Sequence, residues 1–258
     1  MPSESLVLNV ILTHQKPAVV ERIVAWWRSN VRVDPENLLV AHGGSSVDFE
    51  RVTHTEKVFV DHEQLHTTDH QREAQSYSGV FRLVAEWLNN DRARSRFTHV
   101  YFAEYDHLPL IGDLNERQLA ALECEKADVL GLRVAQVEET SHPHFLYHAD
   151  DPQFLDFWQN LGRRNSREAR GVILTMFGTG SFWTRAAFEA VAAVAEPFPI
   201  YLELFLPTAA HHLGYRVRPY PDPAARAWIH HLGDFSDHIE EARAAGAWTL
   251  HPVKNFWR

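Results

Sequence analysis

The chain has 258 residues, 45% of them hydrophobic and 12% aromatic, which is enough to bury a substantial core and excludes global disorder. A net charge of −9 argues against a general phosphate-backbone binder, because nucleic-acid proteins carry a basic face. The one cysteine, Cys124, excludes an intrachain disulfide framework and fits a reducing cytoplasm.

Residues 6–13 form a continuously apolar, β-branched run, the pattern of a buried strand. The run lacks a basic leader and is too short to span a bilayer, so the expectation is a soluble cytoplasmic protein with no transmembrane segment. Pro17 suits the first turn of a helix. Val20, Ile23, Val24 and Trp27 continue that helix at its own spacing to about Asn30. A second strand over 37–41 runs into a polar loop over 42–46, and a short third strand covers 57–60. Thr68 and Gln71 form a capping box for a helix that carries Tyr77, Val80, Phe81, Val84, Trp87 and Leu88 on one face.

A strand over 98–103, a helix over 115–126 and a strand over 128–134 follow. This alternation predicts an α/β fold with a mostly parallel, doubly wound sheet flanked by helices. Residues 135–151 show little periodicity, as functional loops do. The apolar run over 171–183 is broken by Gly178-Thr179-Gly180, and Thr184 can cap the helix after it. A helix over 200–212, a strand over 215–220, a helix over 234–245 and an extended tail over 248–257 complete the chain. With no repeat or linker, residues 1–258 read as one domain.

The feature with the most chemistry is Glu104-Tyr105-Asp106, which ends an apolar strand. Residues i and i+2 of a strand point to one side, so the two carboxylates can share a site. Paired hard oxygens suit Mg²⁺ or Mn²⁺, and open α/β sheets bind ligands beyond the carboxyl ends of their strands. Taken alone, the same pair also fits an ordinary acidic turn. Glu203 stands in an otherwise apolar stretch, where a buried carboxylate needs a partner or a task. It is either half of an ion pair or a general base whose pKa burial would raise. Seventeen histidines add little by number alone, and no H-E-x-x-H zinc motif occurs.

The order of these pieces resembles the GT-A-type nucleotide-sugar glycosyltransferases, closest in style to their family-2-like members. The pieces are the first strand with its loop, the polar turn over 42–46, the E-x-D strand end, the Gly178-Thr179-Gly180 turn, the Glu203 helix and the late His251-Pro252-Val253-Lys254. Glu104 departs from the family's D-x-D pattern by one methylene. The resemblance implies a Rossmann-like GT-A domain. It implies that Asp106, Glu104 and His251 hold Mn²⁺ or Mg²⁺. It also implies that Thr13, His14, His42, Gly43, Arg72, Gly180 and Lys254 contact the nucleotide-diphospho-sugar. Glu203 would then take the proton of a glycan or other acceptor hydroxyl in an inverting transfer, with the 135–151 segment shaping the acceptor site. Two rivals remain: a GT-A-like binding module without activity, and a sugar nucleotidyltransferase. The latter lacks a glycine-rich loop after the first strand.

Overall fold

The computed structural model describes residues 6–60, 70–140, 143–146, 148, 150–163, 171–194 and 200–257. In chain order the elements are β1 (Leu6–Thr13), α1 (Pro17–Asn30), β2 (Leu38–His42), α2 (Ser46–Arg51), β3 (Lys57–Phe59), α3 (His70–Asn89) and β4 (Phe97–Glu104). Then come β5 (Leu108–Pro109), α4 (Leu114–Cys124), β6 (Val129–Gly131), β7 (Ala135–Gln136), α5 (Pro143–Leu146) and α6 (Pro152–Arg163). The last are β8 (Leu174–Thr175), β9 (Ser181–Thr184), α7 (Arg185–Ala193), α8 (Leu202–His212), β10 (Val217–Pro219), α9 (Ile239–Ala244) and β11 (Thr249–Leu250).

The main sheet has the order β10-β6-β9-β4-β1-β2-β3. All neighbours are parallel except β9, which runs antiparallel between β4 and β6. The architecture is therefore a mostly parallel α/β sheet with helices on both faces, as the sequence alternation predicts. Each face has its own core. Leu8, Val10 and Leu12 of β1 join Phe81, Phe102, Phe188 and Phe205 on one side. Val7 and Ile11 join Trp27, Tyr101, Leu114 and Trp248 on the other. Burial on both faces is why β1 reads as an unbroken apolar run.

Register decides what reaches the ligand edge. Thr13 pairs with His42, and Leu12 pairs with Glu104, so β1, β2 and β4 end together. Because β9 is antiparallel, its first residue, Ser181, pairs with Phe102 near the end of β4. That orientation carries the Gly178–Gly180 turn to the same edge. A small antiparallel ladder pairs Leu250 with Leu108 and so brings the C-terminal tail beside Asp106.

Several local expectations need correction. The 42–46 loop runs directly into α2, because the Ser45 hydroxyl caps it by accepting the Asp48 N–H. The strand expected over 128–134 stops at Gly131, and Arg133 adopts a left-handed φ of 54°. Residues 135–136 pair with β8 instead of forming loop. Helix α6 went unread, although Phe154, Trp158 and Leu161 form a helical stripe and are buried. The helix expected from 234 begins with a 3₁₀ turn at Ser236–His238. Thr68 of the capping box lies outside the described residues. Among the described residues, no helix is long and apolar enough to cross a membrane.

Candidate metal and transfer site

Strand β4 stops at Glu104, and the next residues turn. The Tyr105 N–H donates to the Leu12 carbonyl at 2.9 Å, and the His107 N–H donates back to the Glu104 carbonyl at 3.0 Å. The two carboxylates therefore meet through a tight turn after the strand and not through strand alternation. The Val253 N–H donates to the Asp106 carbonyl at 2.9 Å and clamps the tail against that turn.

The clamp delivers His251. One candidate ligand atom each from Glu104, Asp106 and His251 lies within 4.8 Å of the other two. His251 Nδ1 is 2.9 Å from the His230 carbonyl, which can only accept, so Nδ1 carries a proton. In the neutral ring Nε2 is then a lone pair, and it faces Asp106 Oδ1 at 3.4 Å. That oxygen is buried and has no hydrogen-bond partner among the described residues. Two electron-rich atoms facing each other fit a proton or a metal cation between them. Two carboxylates and an imidazole suit Mn²⁺ better than Mg²⁺. The His230 carbonyl is the outer partner that ligating histidines ordinarily have.

The glycine turn touches both halves of the site. A Cβ on Gly178 would sit 3.2 Å from Glu203 Oε1. The Thr179 hydroxyl accepts the Glu104 N–H at 2.7 Å. Gly180 has a φ of 77°, and a Cβ there would sit 2.5 Å from His107 Cε1. Its amide already donates to the Phe102 carbonyl at 2.9 Å, so Gly180 packs the turn and does not offer an N–H to a phosphate.

Glu203 lies in the first turn of α8, where a helix N-terminus favours a carboxylate. Its side chain is a quarter exposed, not buried, and Oε2 stands 3.2 Å from His144 Nδ1. The His144 ring stacks on Tyr201 at 3.9 Å. The sequence reading missed His144, because it sits in the segment without periodicity and nothing there marks its partner.

The expected nucleotide contacts divide into two groups. Thr13, His42 and Gly43 lock the loops. Thr13 Oγ1 accepts the Gln15 N–H at 3.2 Å, and the Gly43 N–H donates to the Thr13 carbonyl at 2.7 Å. His42 is fully buried, with Nε2 3.0 Å from the Gln15 carbonyl, and Nδ1 accepts the Gly44 N–H at 3.2 Å. Burial pushes its pKa down. His14, by contrast, is half-buried and meets Tyr105 edge-on at 4.9 Å, so two rings stand at the carboxyl edge. Lys254 is exposed just past the clamp, its N–H bound to Asp234 Oδ1 at 2.9 Å. Arg72 falls in the first turn of α3, and its side chain lies outside the described residues.

A cleft of about 320 Å³ adjoins the site, lined by Arg133, Ala135, Thr140, Thr175, Met176, Phe177 and His231 among others. The Phe177 ring lies 5.1 Å from His251. The Met176 N–H donates to the Glu203 carbonyl at 2.9 Å. The cleft lining thus touches His251 through Phe177 and the Glu203 backbone through Met176.

No protein-family model matches the chain, and no curated protein matches it. Among solved structures, core-mannan synthase A (CmsA/Ktr4) from Aspergillus fumigatus, in an Mn/GDP form, aligns at 10% identity with a TM-score of 0.39, covering 84% of this chain and 73% of its own. The mannosyltransferase Ktr4p from S. cerevisiae, in complex with GDP, aligns at 9% identity with a TM-score of 0.37, covering 83% of this chain and 69% of its own. Likeness at this level assigns no activity.

Proposed function

We propose that this chain is a GT-A-type glycosyltransferase that moves a sugar from a nucleotide-diphospho-sugar to an acceptor hydroxyl. The observation that carries the reading is the convergence of Glu104, Asp106 and His251 at the carboxyl edge of β1 and β4. Asp106 Oδ1, without a hydrogen-bond partner among the described residues, and a His251 Nε2 lone pair fixed by His230 fit a divalent cation. Mn²⁺ or Mg²⁺, when bound there, supplies Lewis-acid stabilisation of the departing diphosphate. His14 and Tyr105 border the nucleotide, and Lys254 and Arg72 meet its phosphates.

The acceptor enters the cleft beside Phe177. Glu203 takes the proton from its hydroxyl as that oxygen bonds to the anomeric carbon and the bond from that carbon to the phosphate oxygen breaks. Attack opposite the leaving group inverts the sugar's configuration. His144 orients the Glu203 carboxylate and shares the proton it gains.

Isothermal titration with GDP and UDP, with and without Mn²⁺, tests the donor half. Cation-dependent binding that is lost in Asp106→Ala is the expected result. No binding by the wild type, or undiminished binding in the variant, overturns it. Release of nucleoside diphosphate from a panel of nucleotide sugars tests turnover, and binding without release would leave only a binding module.

A further inference from the structure

A second, far smaller cavity lies against the metal-ligand group, lined by Tyr101, His107, Gln118, Gly180, Tyr220 and Trp248 among others. Its volume of about 10 Å³ is that of one water site. His107 and Gln118 are each 1% exposed and Trp248 is 4% exposed. His107 Nε2, Gln118 Oε1 and Trp248 Nε1 are all buried without a hydrogen-bond partner among the described residues. Three orphaned polar atoms around one small cavity are unusual, since buried polar groups are nearly always satisfied. The Gln118 amide nitrogen reaches the Tyr220 hydroxyl at 3.4 Å, which leaves Oε1 as the group in want of a donor.

The other edge of His107 faces the site. Thr179 Oγ1 accepts the Glu104 N–H at 2.7 Å and lies 3.3 Å from His107 Nδ1. A hydroxyl has one proton to give, and here His107 Nδ1 is within its reach. If Nδ1 accepts, the proton of the neutral ring sits on Nε2, one of the three orphaned atoms.

We propose that one buried water occupies this cavity, accepting from His107 Nε2–H and Trp248 Nε1–H and donating to Gln118 Oε1. Through it, His107 is a positioning residue that ties Thr179 and the Glu104 amide to helix α4. The Glu104–His107 turn is thereby braced from behind by a hydrogen-bonded chain. The chain runs from the Glu104 N–H through Thr179, His107 and the water to Gln118. The bracing role rests on the metal-site reading, whereas the water and the tautomer do not.

Nitrogen NMR of histidine-labelled, metal-free protein reads the tautomer, with the His107 signals assigned by their loss in His107→Asn. An Nε2–H tautomer is expected, and an Nδ1–H tautomer overturns the proposal. Water-proton relaxation dispersion should detect a long-lived internal water that is lost in Gln118→Leu, and a spectrum unchanged by that substitution overturns it. Electron paramagnetic resonance of Mn²⁺ titrations reads the bracing. His107→Phe, checked for folding by thermal unfolding, should weaken Mn²⁺ binding about 10-fold, and His107→Asn should recover part of the loss. A folded His107→Phe that binds Mn²⁺ like the wild type removes the positioning role. A wild type that binds no Mn²⁺ overturns the metal reading and the bracing together, while the tautomer and water are still read directly.

Discussion

Asp106 Oδ1 and His251 Nε2 face each other at 3.4 Å, and both side chains are less than one-tenth exposed. The His230 carbonyl dictates which imidazole nitrogen carries the proton, so the contact joins two acceptors whenever the ring is neutral. Such a contact is held against its own preference and is relieved by a cation. Asp106→Asn should therefore have opposite effects on stability and binding. The new amide can donate to Nε2 and should stabilise the metal-free protein by about 1 kcal/mol. The same variant should lose the stabilisation that Mn²⁺ gives the wild type, about 2.7 kcal/mol at 100 times Kd. Thermal unfolding of both proteins with and without Mn²⁺ measures both effects. A destabilised metal-free Asp106→Asn would show that the pair needs no cation.

Glu203 and His144 should separate binding from transfer. Glu203→Gln removes the base while keeping its shape, and transfer should fall about 10²–10⁴-fold with nucleoside-diphosphate affinity unchanged. His144→Phe keeps a ring to stack on Tyr201 but removes the nitrogen 3.2 Å from Glu203 Oε2, so a smaller fall is expected. Initial rates and equilibrium titration on the same preparations check this pair. An unaltered rate in Glu203→Gln would remove Glu203 from the chemistry.

What the sequence reveals here follows the range of the interaction. The strands over 6–13 and 98–103 are legible as apolar runs, and the face from Val80 to Leu88 as a helical period, because burial acts on consecutive residues. The Glu104-Tyr105-Asp106 end is legible because its carboxylates interrupt an apolar run. Pairing at a distance is not written that way. His144 and Glu203, Thr179 and the Glu104 amide, and His251 and the His230 carbonyl each join separate segments. The antiparallel course of β9 is likewise hidden, since a four-residue buried strand reads the same in either direction. Gly180 was legible as special but not for its actual reason, which is the room it leaves for His107.

The glycine turn permits a contrast between two positions, one residue apart on either side of Thr179. Gly180→Ala imposes a left-handed conformation on an L-residue, costing about 1–2 kcal/mol. It also drives a Cβ to 2.5 Å from the buried His107 ring, and overpacking of that kind adds about 1–3 kcal/mol. A loss of about 2–5 kcal/mol is expected in denaturant titration. Gly178→Ala meets the movable end of Glu203 at 3.2 Å and Leu202 Cδ2 at an ordinary contact distance of 3.5 Å. It should leave stability within about 1 kcal/mol of the wild type while displacing the carboxylate and slowing transfer. Equal losses of stability at the two positions would contradict the contrast.

Acid should destabilise the fold in two separate pH windows. Burial holds the pKa of His42, His99 and His212 below the ordinary value of 6.5. The unfolded chain therefore takes up protons first as pH falls past that value, and stability follows proton uptake. The contribution of these rings is complete above pH 6.5 and is lost progressively below it. Asp48 is held below the carboxylate range by the Lys16 ammonium and the Ser45 hydroxyl. Its contribution is lost only below about pH 3.8, the ordinary value. Thermal unfolding from about pH 7.5 down to pH 5 should show a falling Tm. His99 stacks on Phe182 at 5.5 Å, so His99→Phe keeps the packing, removes one titrating ring and should flatten the slope. A Tm that stays level across that range would mean that the buried imidazoles are protonated without cost.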